Sequence, residues 1–226
     1  MTLSAGFGAA VRLLASGDRE VFSIAYASLR FSLLSTIVSA SLGVPLGYVI
    51  GLGRFRGRRV VTAVLNSLMA VPTVVIGLVV YSLISRSGPF GRWGLLFTPG
   101  AIVLGQAVLA LPIVTSLVAG GLRGTDRRLP ETLQTLGAGR FRILVTILTE
   151  TRSAVLAAVI AGFGRVIGEV GVSMMLGGNI RWYTRTLTTA IALETSKGQF
   201  ELGLALGMIL LVAALVINGL LHAVVH

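Results

Sequence analysis

Residues 31–53, 60–85, 93–122 and 202–226 of this chain contain no Asp, Glu, Lys or Arg. Each stretch is long enough to cross a hydrocarbon core, for which about 20 consecutive apolar residues are needed. A lone segment inside a bilayer has no water to satisfy its backbone N–H and C=O groups, and it pairs them internally only as a helix. A further apolar run, from Arg152 to about Leu176, carries Arg165 and Glu169 within it. Charges inside a span are uncommon and generally have a use, so this run is read as another span. The expected fold is therefore all-α and integral to a membrane, with about five transmembrane helices. Composition agrees, because 54% of the 226 residues are hydrophobic and only 12% are charged, unlike a soluble domain.

The formal net charge of +11 does not read as a nucleic-acid footprint, because the arginines are distributed by topology. Arg54, Arg56, Arg58 and Arg59 share one loop, and Arg123, Arg127, Arg128, Arg140 and Arg142 share another. Arg86, Arg92, Arg181, Arg185 and Lys197 fall on the opposite side. The positive-inside rule places the first two loops in the cytoplasm, which predicts an N-terminus outside and a C-terminus inside. Leu3 to Leu14 has the pattern of an amphipathic helix lying on the membrane surface, within an interfacial segment 1–20. It lacks the cleavage site of a removable signal peptide. With no repeated span pattern, soluble domain or low-complexity linker, residues 1–226 read as a single transmembrane domain.

Gly43, Gly47 and Gly51 recur every four residues, so one face of the first span has almost no side chain and another helix can approach it closely. Pro45, Pro72 and Pro112 each remove a helical hydrogen bond and are expected to bend their spans. Bent helices line the path in many transporters, although prolines are also common in membrane helices at large. Trp93 and Phe97, in the connection 86–99, are expected at headgroup level. The chain has no cysteine, so neither a disulfide framework nor a thiolate metal site is available. His222 and His226 are four residues apart; a metal pair is conceivable at that spacing, and a frayed helix end is the plainer reading.

Residues 123–142 form a polar, arginine-flanked island in this apolar chain. Pro130 suits the first turn of a helix, where its missing N–H costs nothing. Leu129, Leu133 and Leu136 follow at i, i+4 and i+7, one helical face. Gly137 and Gly139 are expected to end the helix through the left-handed conformation. A helix of about two turns is not stable alone in water, so its leucines need a surface. That surface is either this chain's own membrane domain or a partner.

The spacing of Glu131, Gly137 and Ile147 resembles the docking loop by which permease subunits of bacterial ABC importers grip their ATPase. That motif runs Glu-Ala-Ala, three residues, Gly, nine residues, Ile, one residue, Leu-Pro. Here Thr132 and Leu133 replace the two alanines and Thr149-Glu150 replaces Leu-Pro, so no proline marks the start of the fourth span. The resemblance extends over roughly residues 20 to 222. It implies a type I ABC importer permease fold and a cytoplasmic coupling loop at 123–142, with Leu129, Pro130, Glu131, Leu133, Leu136, Gly137 and Gly139 facing the ATPase. It also implies a homodimer, two ATP-binding cassette subunits, an extracytoplasmic binding protein and a prokaryotic inner or plasma membrane with its lipid. Residues 168–191, from Gly168 to Ile191, look like the matching region of tungstate-type permeases, relatives of the molybdate importers. The implied cargo is a tetrahedral oxyanion, tungstate foremost, with molybdate, sulfate and vanadate as alternatives.

Arg165 and Glu169 are four residues apart on one helical face and can neutralise one another. Either charge alone in hydrocarbon costs at least about 2.5 to 3.5 kcal/mol, so the two are expected to pair or to face a polar cavity. The pair is either a lock between helices or a gate beside an oxyanion path. Gly177, Gly178 and Asn179 then interrupt the helix, and Thr184 with its neighbouring threonines supplies uncharged hydroxyls. Such a lining suits the passage of a hydrated oxyanion; the alternative is an outer loop with Trp182 and Tyr183 at the interface. Glu194 and Lys197 are expected at the surface.

The chain has no Gly-rich phosphate loop of the Walker type. ATP and Mg²⁺ would be used by a separate subunit, and no cofactor is expected in this chain. A membrane enzyme would need a clustered nucleophile and base or paired carboxylates, and Glu169 has only an arginine beside it. A gradient-driven transporter or channel usually carries several intramembrane acids or an inverted repeat, and neither is visible.

Overall fold

A computed structural model describes residues 8, 11–53, 55–124 and 129–225. Most of Leu3 to Leu14, Arg54, Arg127, Arg128 and His226 lie outside the described residues. The rest is a helical assembly: α1 (Arg19–Leu52), α2 (Arg58–Ala70), α3 (Thr73–Ile84), α4 (Pro99–Gly124), α5 (Leu129–Thr135), α6 (Arg140–Glu150), α7 (Arg152–Ile167), α8 (Gly171–Gly177), α9 (Leu187–Ser196) and α10 (Phe200–Val225). Three helices, α1, α4 and α10, are each long and apolar enough to cross a membrane. The number rises to five if the bent pairs α2–α3 and α6–α7 each count as one span.

Local chemistry sets the boundaries, and in three places it differs from the sequence expectation. The first span starts at Arg19 rather than 31. Asp18 caps it by accepting the N–H groups of Glu20 and Val21 at 2.9 and 3.0 Å, and the charged Arg30 rides on its exposed face without breaking it. The expected span 60–85 is two helices meeting at 100°. Pro72 disfavours helical geometry at the residue before it, and Val71 accordingly sits extended at φ −63° and ψ 130°. By contrast α1 and α4 run on through Pro45 and Pro112. The fourth span does not continue to Leu176: α7 stops at Ile167, and the short α8 starts at Gly171.

Helix α4 is the hub, packed against α1 on one side and α7 on another. The face that α1 turns inward is lined by small residues, with Ser28, Ser32, Ser35, Ser39, Gly43 and Gly47 all buried. A Cβ placed on Gly47 would lie 2.7 Å from the Val118 side chain, and one on Gly51 would lie 2.5 Å from Leu122. The glycine stripe is thus the packing face expected, and the serines continue it toward the N-terminus. Buried Gln106 of α4 crosslinks the layer. Its Nε2 lies 3.2 Å from Ser173 Oγ and 3.4 Å from the Val166 carbonyl, and its Oε1 lies 3.1 Å from Ser35 Oγ.

The apolar core is concentrated toward two opposite ends. One cluster joins Tyr48, Val118, Leu122, Ile143 and Ile147; a second joins Val21, Ile24, Leu187, Ala190 and Leu206, and a third joins Val80, Ile84, Ala101, Val172 and Leu176. The outward faces of α1 and α10 carry Phe22, Leu33 and Ile37, and Leu211, Leu215 and Leu220, all exposed. A continuous apolar surface of that kind is unsuited to water.

Candidate functional site

Within the arginine-rich island, residues 129–139 fold as a short helix and a turn. Helix α5 ends in a paired cap: Ala138 N–H donates to Leu133 O at 2.9 Å and Gly137 N–H donates to Gln134 O at 3.0 Å. Gly137 has φ 76°, the left-handed geometry that this cap demands and that glycine adopts without steric cost. Gly139 plays a different part from the one expected. Its backbone is extended, at φ −69° and ψ 160°, and it opens the next helix, α6.

The leucine stripe divides. Leu133 packs against the core cluster built on Ile143 and Ile147, whereas Leu136 is 77% exposed. Leu133 thus takes the first reading, packing on this chain's own membrane domain, and Leu136 does not share that burial. The side chains of Leu129, Pro130 and Glu131 lie outside the described residues. Ile147, the last matching residue of the docking signature, is buried in the same cluster and anchors the base of the loop.

Helix α6 was not foreseen as a separate element, since no proline announces the break after it. The chain bends 58° between α6 and α7. Thr151, at the joint, donates to Ile147 O at 2.7 Å. Its one proton is then used, so the Tyr48 hydroxyl 2.6 Å away is the donor in their mutual bond.

The Arg165–Glu169 pair forms, with Nη1 to Oε2 at 3.2 Å, and its burial is lopsided: the arginine side chain is 40% exposed and the glutamate 3%. Glu169 lies beyond the end of α7, and its other oxygen accepts the Val172 N–H at 3.1 Å. A carboxylate at that position caps α8 and offsets the positive end of its dipole. Thr188 Oγ1 donates to the Glu169 carbonyl at 2.7 Å, so α7, α8 and α9 all meet at this residue.

The glycine and threonine segment that follows is a closed turn. Thr184 is fully buried; its Oγ1 donates to Gly177 O at 2.6 Å and accepts from Ile180 N at 3.0 Å. Gly178 and Asn179 both take positive φ, 68° and 51°. The Asn179 amide pairs with Thr189, accepting from its hydroxyl at 3.0 Å and donating to its carbonyl at 3.3 Å. Gly177 is buried against Ile102 and Thr184. In this chain the hydroxyls expected along a path are spent on the turn itself. Phe97 completes the packing: its N–H donates to Leu176 O at 2.8 Å and its ring abuts Gly178. It is half-exposed, with one side on the turn.

At the same end a charged cluster gathers that sequence reading missed as a unit. Glu20, in the first turn of α1, accepts two hydrogen bonds from Arg181, at 2.9 and 2.6 Å, and one from Arg185, at 3.3 Å. These bonds push the Arg181 guanidinium above its ordinary pKa, so it stays a cation. Arg185 also lies 3.6 Å from Glu194, which holds Lys197 at 3.0 Å. Glu194, expected at the surface, is buried, because these two cations neutralise it. Glu20 is more than 160 residues from its two arginines in sequence, so no local spacing announces that pairing.

Comparison with known proteins follows the same lines. The family described as "Binding-protein-dependent transport system inner membrane component" matches residues 43–226. The tungstate uptake system permease protein of Peptoclostridium acidaminophilum is 37% identical over 221 residues, covering 98% of this chain and 97% of that one. The protein of the same name in Campylobacter jejuni is 38% identical over 217 residues, covering 96% and 91%. Among solved structures, an inward-facing methionine ABC transporter superposes with a TM-score of 0.66 at 16% identity, over 91% of this chain and 94% of that one.

Proposed function

Because this chain belongs to the family of binding-protein-dependent transport system inner membrane components, a multi-pass permease of the prokaryotic cell membrane and not an enzyme, we propose that it is the oxyanion-conducting subunit of an ABC importer, with tungstate as its foremost cargo. The cargo rests on relatives named as tungstate uptake permeases that align over nearly the whole chain. Membership of this family implies an ATPase and a binding protein as companions. A second copy of this chain would complete the path, lipid would cover the apolar faces of α1 and α10, and ATP with Mg²⁺ would act on the ATPase alone.

The observation that carries the coupling is Leu136, held 77% exposed on a short capped helix in an arginine-rich loop. An apolar side chain presented to solvent by a rigid cap is what a docking surface requires. Glu131, Gly137 and the rest of 129–139 would fill a groove of the ATPase. ATP-driven closure of the ATPase pair would draw the two copies of α5 together and tilt the spans. Arg165 and Glu169, with Gly177, Gly178, Asn179 and Thr184, would then act as the frame that holds the outer end of the path. Counting each bent pair as one span puts the C-terminal end of α1 and the helix-turn 129–139 at one end, and the positive-inside rule makes that end cytoplasmic.

Two measurements test this reading. Co-expressed with its ATPase, the chain carrying Glu131→Arg and Gly137→Arg should lose copurification and uptake; undiminished transport would sink the coupling. Since the chain has no cysteine, Ser87→Cys should label from outside the cell and Thr135→Cys only after permeabilisation. The opposite result inverts the topology.

A further inference from the structure

The five-charge cluster at the start of α1 and around α9 surrounds a pocket of about 250 Å³, lined by Glu20, Arg181, Arg185, Glu194, Lys197 and Gln199. Three cations face two carboxylates there, and the carboxylates use only part of the donor capacity. An arginine has five N–H donors and a lysine three. Arg181 gives two contacts to Glu20. Among the described residues Lys197 has a single carboxylate partner, Glu194. Arg185, whose side chain is only 11% exposed, uses Nη1 for both glutamates. Among the described residues its Nε is buried without an acceptor. A buried guanidinium N–H with no partner costs free energy, and a small turn of the side chain toward an acceptor in the pocket would recover it.

From this geometry we infer that the pocket is a binding site for a tetrahedral oxyanion on the permease itself, with Arg185 as its central donor and Arg181, Lys197 and the Gln199 amide around it. The two glutamates serve two purposes. They fix the guanidinium groups in place before the anion arrives, and they subtract charge, so the anion is held loosely enough to leave. A site that must release its ion cannot be the strongest trap the same cations allow. The inference rests on the importer reading for its choice of anion. By the topology argued above, the pocket lies at the outer end, where an oxyanion would arrive.

Equilibrium dialysis of tungstate against the full-length chain in nanodiscs, with no binding protein present, reads the site directly, with metal counted by mass spectrometry. One oxyanion should bind per chain, saturably, and persist in 150 mM chloride, roughly the physiological ionic strength. Arg185→Gln should weaken binding at least tenfold, and Lys197→Gln should weaken it severalfold. Glu194→Gln should tighten it, because Arg185 and Lys197 are then released toward the anion. That opposite sign is not expected of a purely structural cluster, and Lys197→Gln and Glu194→Gln serve even if Arg185→Gln fails to fold. Absence of saturable binding, full displacement by chloride, or indifference to both of these variants overturns the site. A chain that copurifies with its ATPase and imports yet binds no oxyanion loses this site and keeps its function. A chain that binds the anion but never associates with an ATPase loses the importer reading instead.

Discussion

The turn 177–186 and the helix-turn 129–139 are both short, both contain a left-handed glycine, and both lie at helix ends, yet they are held in different ways. In the first, the hydroxyl of Thr184 and the amide of Asn179 find partners inside the same chain, and Phe97 covers the glycine. In the second, the backbone is capped just as fully, but Leu136 projects away from the protein. One turn is finished by its own chain and the other is rigid but uncovered. Rigidity without burial is what the proposed docking on an ATPase would use, because the ordering entropy would be met before the partner arrives.

Four substitutions probe that contrast and the helix pair that supports it, read as shifts of melting temperature and of ATPase association in nanodiscs. The largest effect is expected from Gly47→Leu, which forces a side chain into Val118 across the α1–α4 seam and should cost about 3 kcal/mol by overpacking. Thr184→Val keeps the shape but strands the Gly177 carbonyl and the Ile180 N–H, for an expected loss of about 2 kcal/mol. Glu20→Gln should shift the melting temperature less than Thr184→Val does, since Arg181 faces water and the pair is screened. Leu136→Gln is expected to shift the stability of the isolated chain by under about 0.5 kcal/mol, while ATPase association falls at least tenfold. If Leu136→Gln destabilises the chain as much as Thr184→Val, the two turns are alike and the contrast fails.

The spans themselves were readable because hydrocarbon imposes a one-dimensional rule, a length of apolar chain, that needs no knowledge of tertiary contacts. The glycine stripe at 43, 47 and 51 was readable for a similar reason, since its period is that of the helix. What escaped depends on geometry that spacing does not encode. Pro72 breaks its span by 100° while Pro45 and Pro112 leave theirs continuous, and the three look alike in sequence. Ser28, Ser32, Ser35 and Ser39 share the glycine period but read as ordinary polar residues in a span until α4 is laid against them. The threonines near 184 leave a path lining and an outer loop open in sequence, because a hydroxyl looks the same whether it faces a passing ion or a neighbouring carbonyl. The Glu20 cluster joins the first and last parts of the chain, beyond any local pattern.

The seam between α1 and α4 has a mechanical consequence. Long, flexible side chains at a helix interface can change rotamer and let one helix slide along the other, which is how shear motions are accommodated. Here serines and glycines bring the backbones together, and Gly47 meets Val118 with no room for even one added carbon. Such a seam has few long side chains to re-rotamer, which disfavours shear along it. A change of shape that spares this seam would fall to the joints at Pro72 and Thr151, where the chain already bends by 100° and 58°.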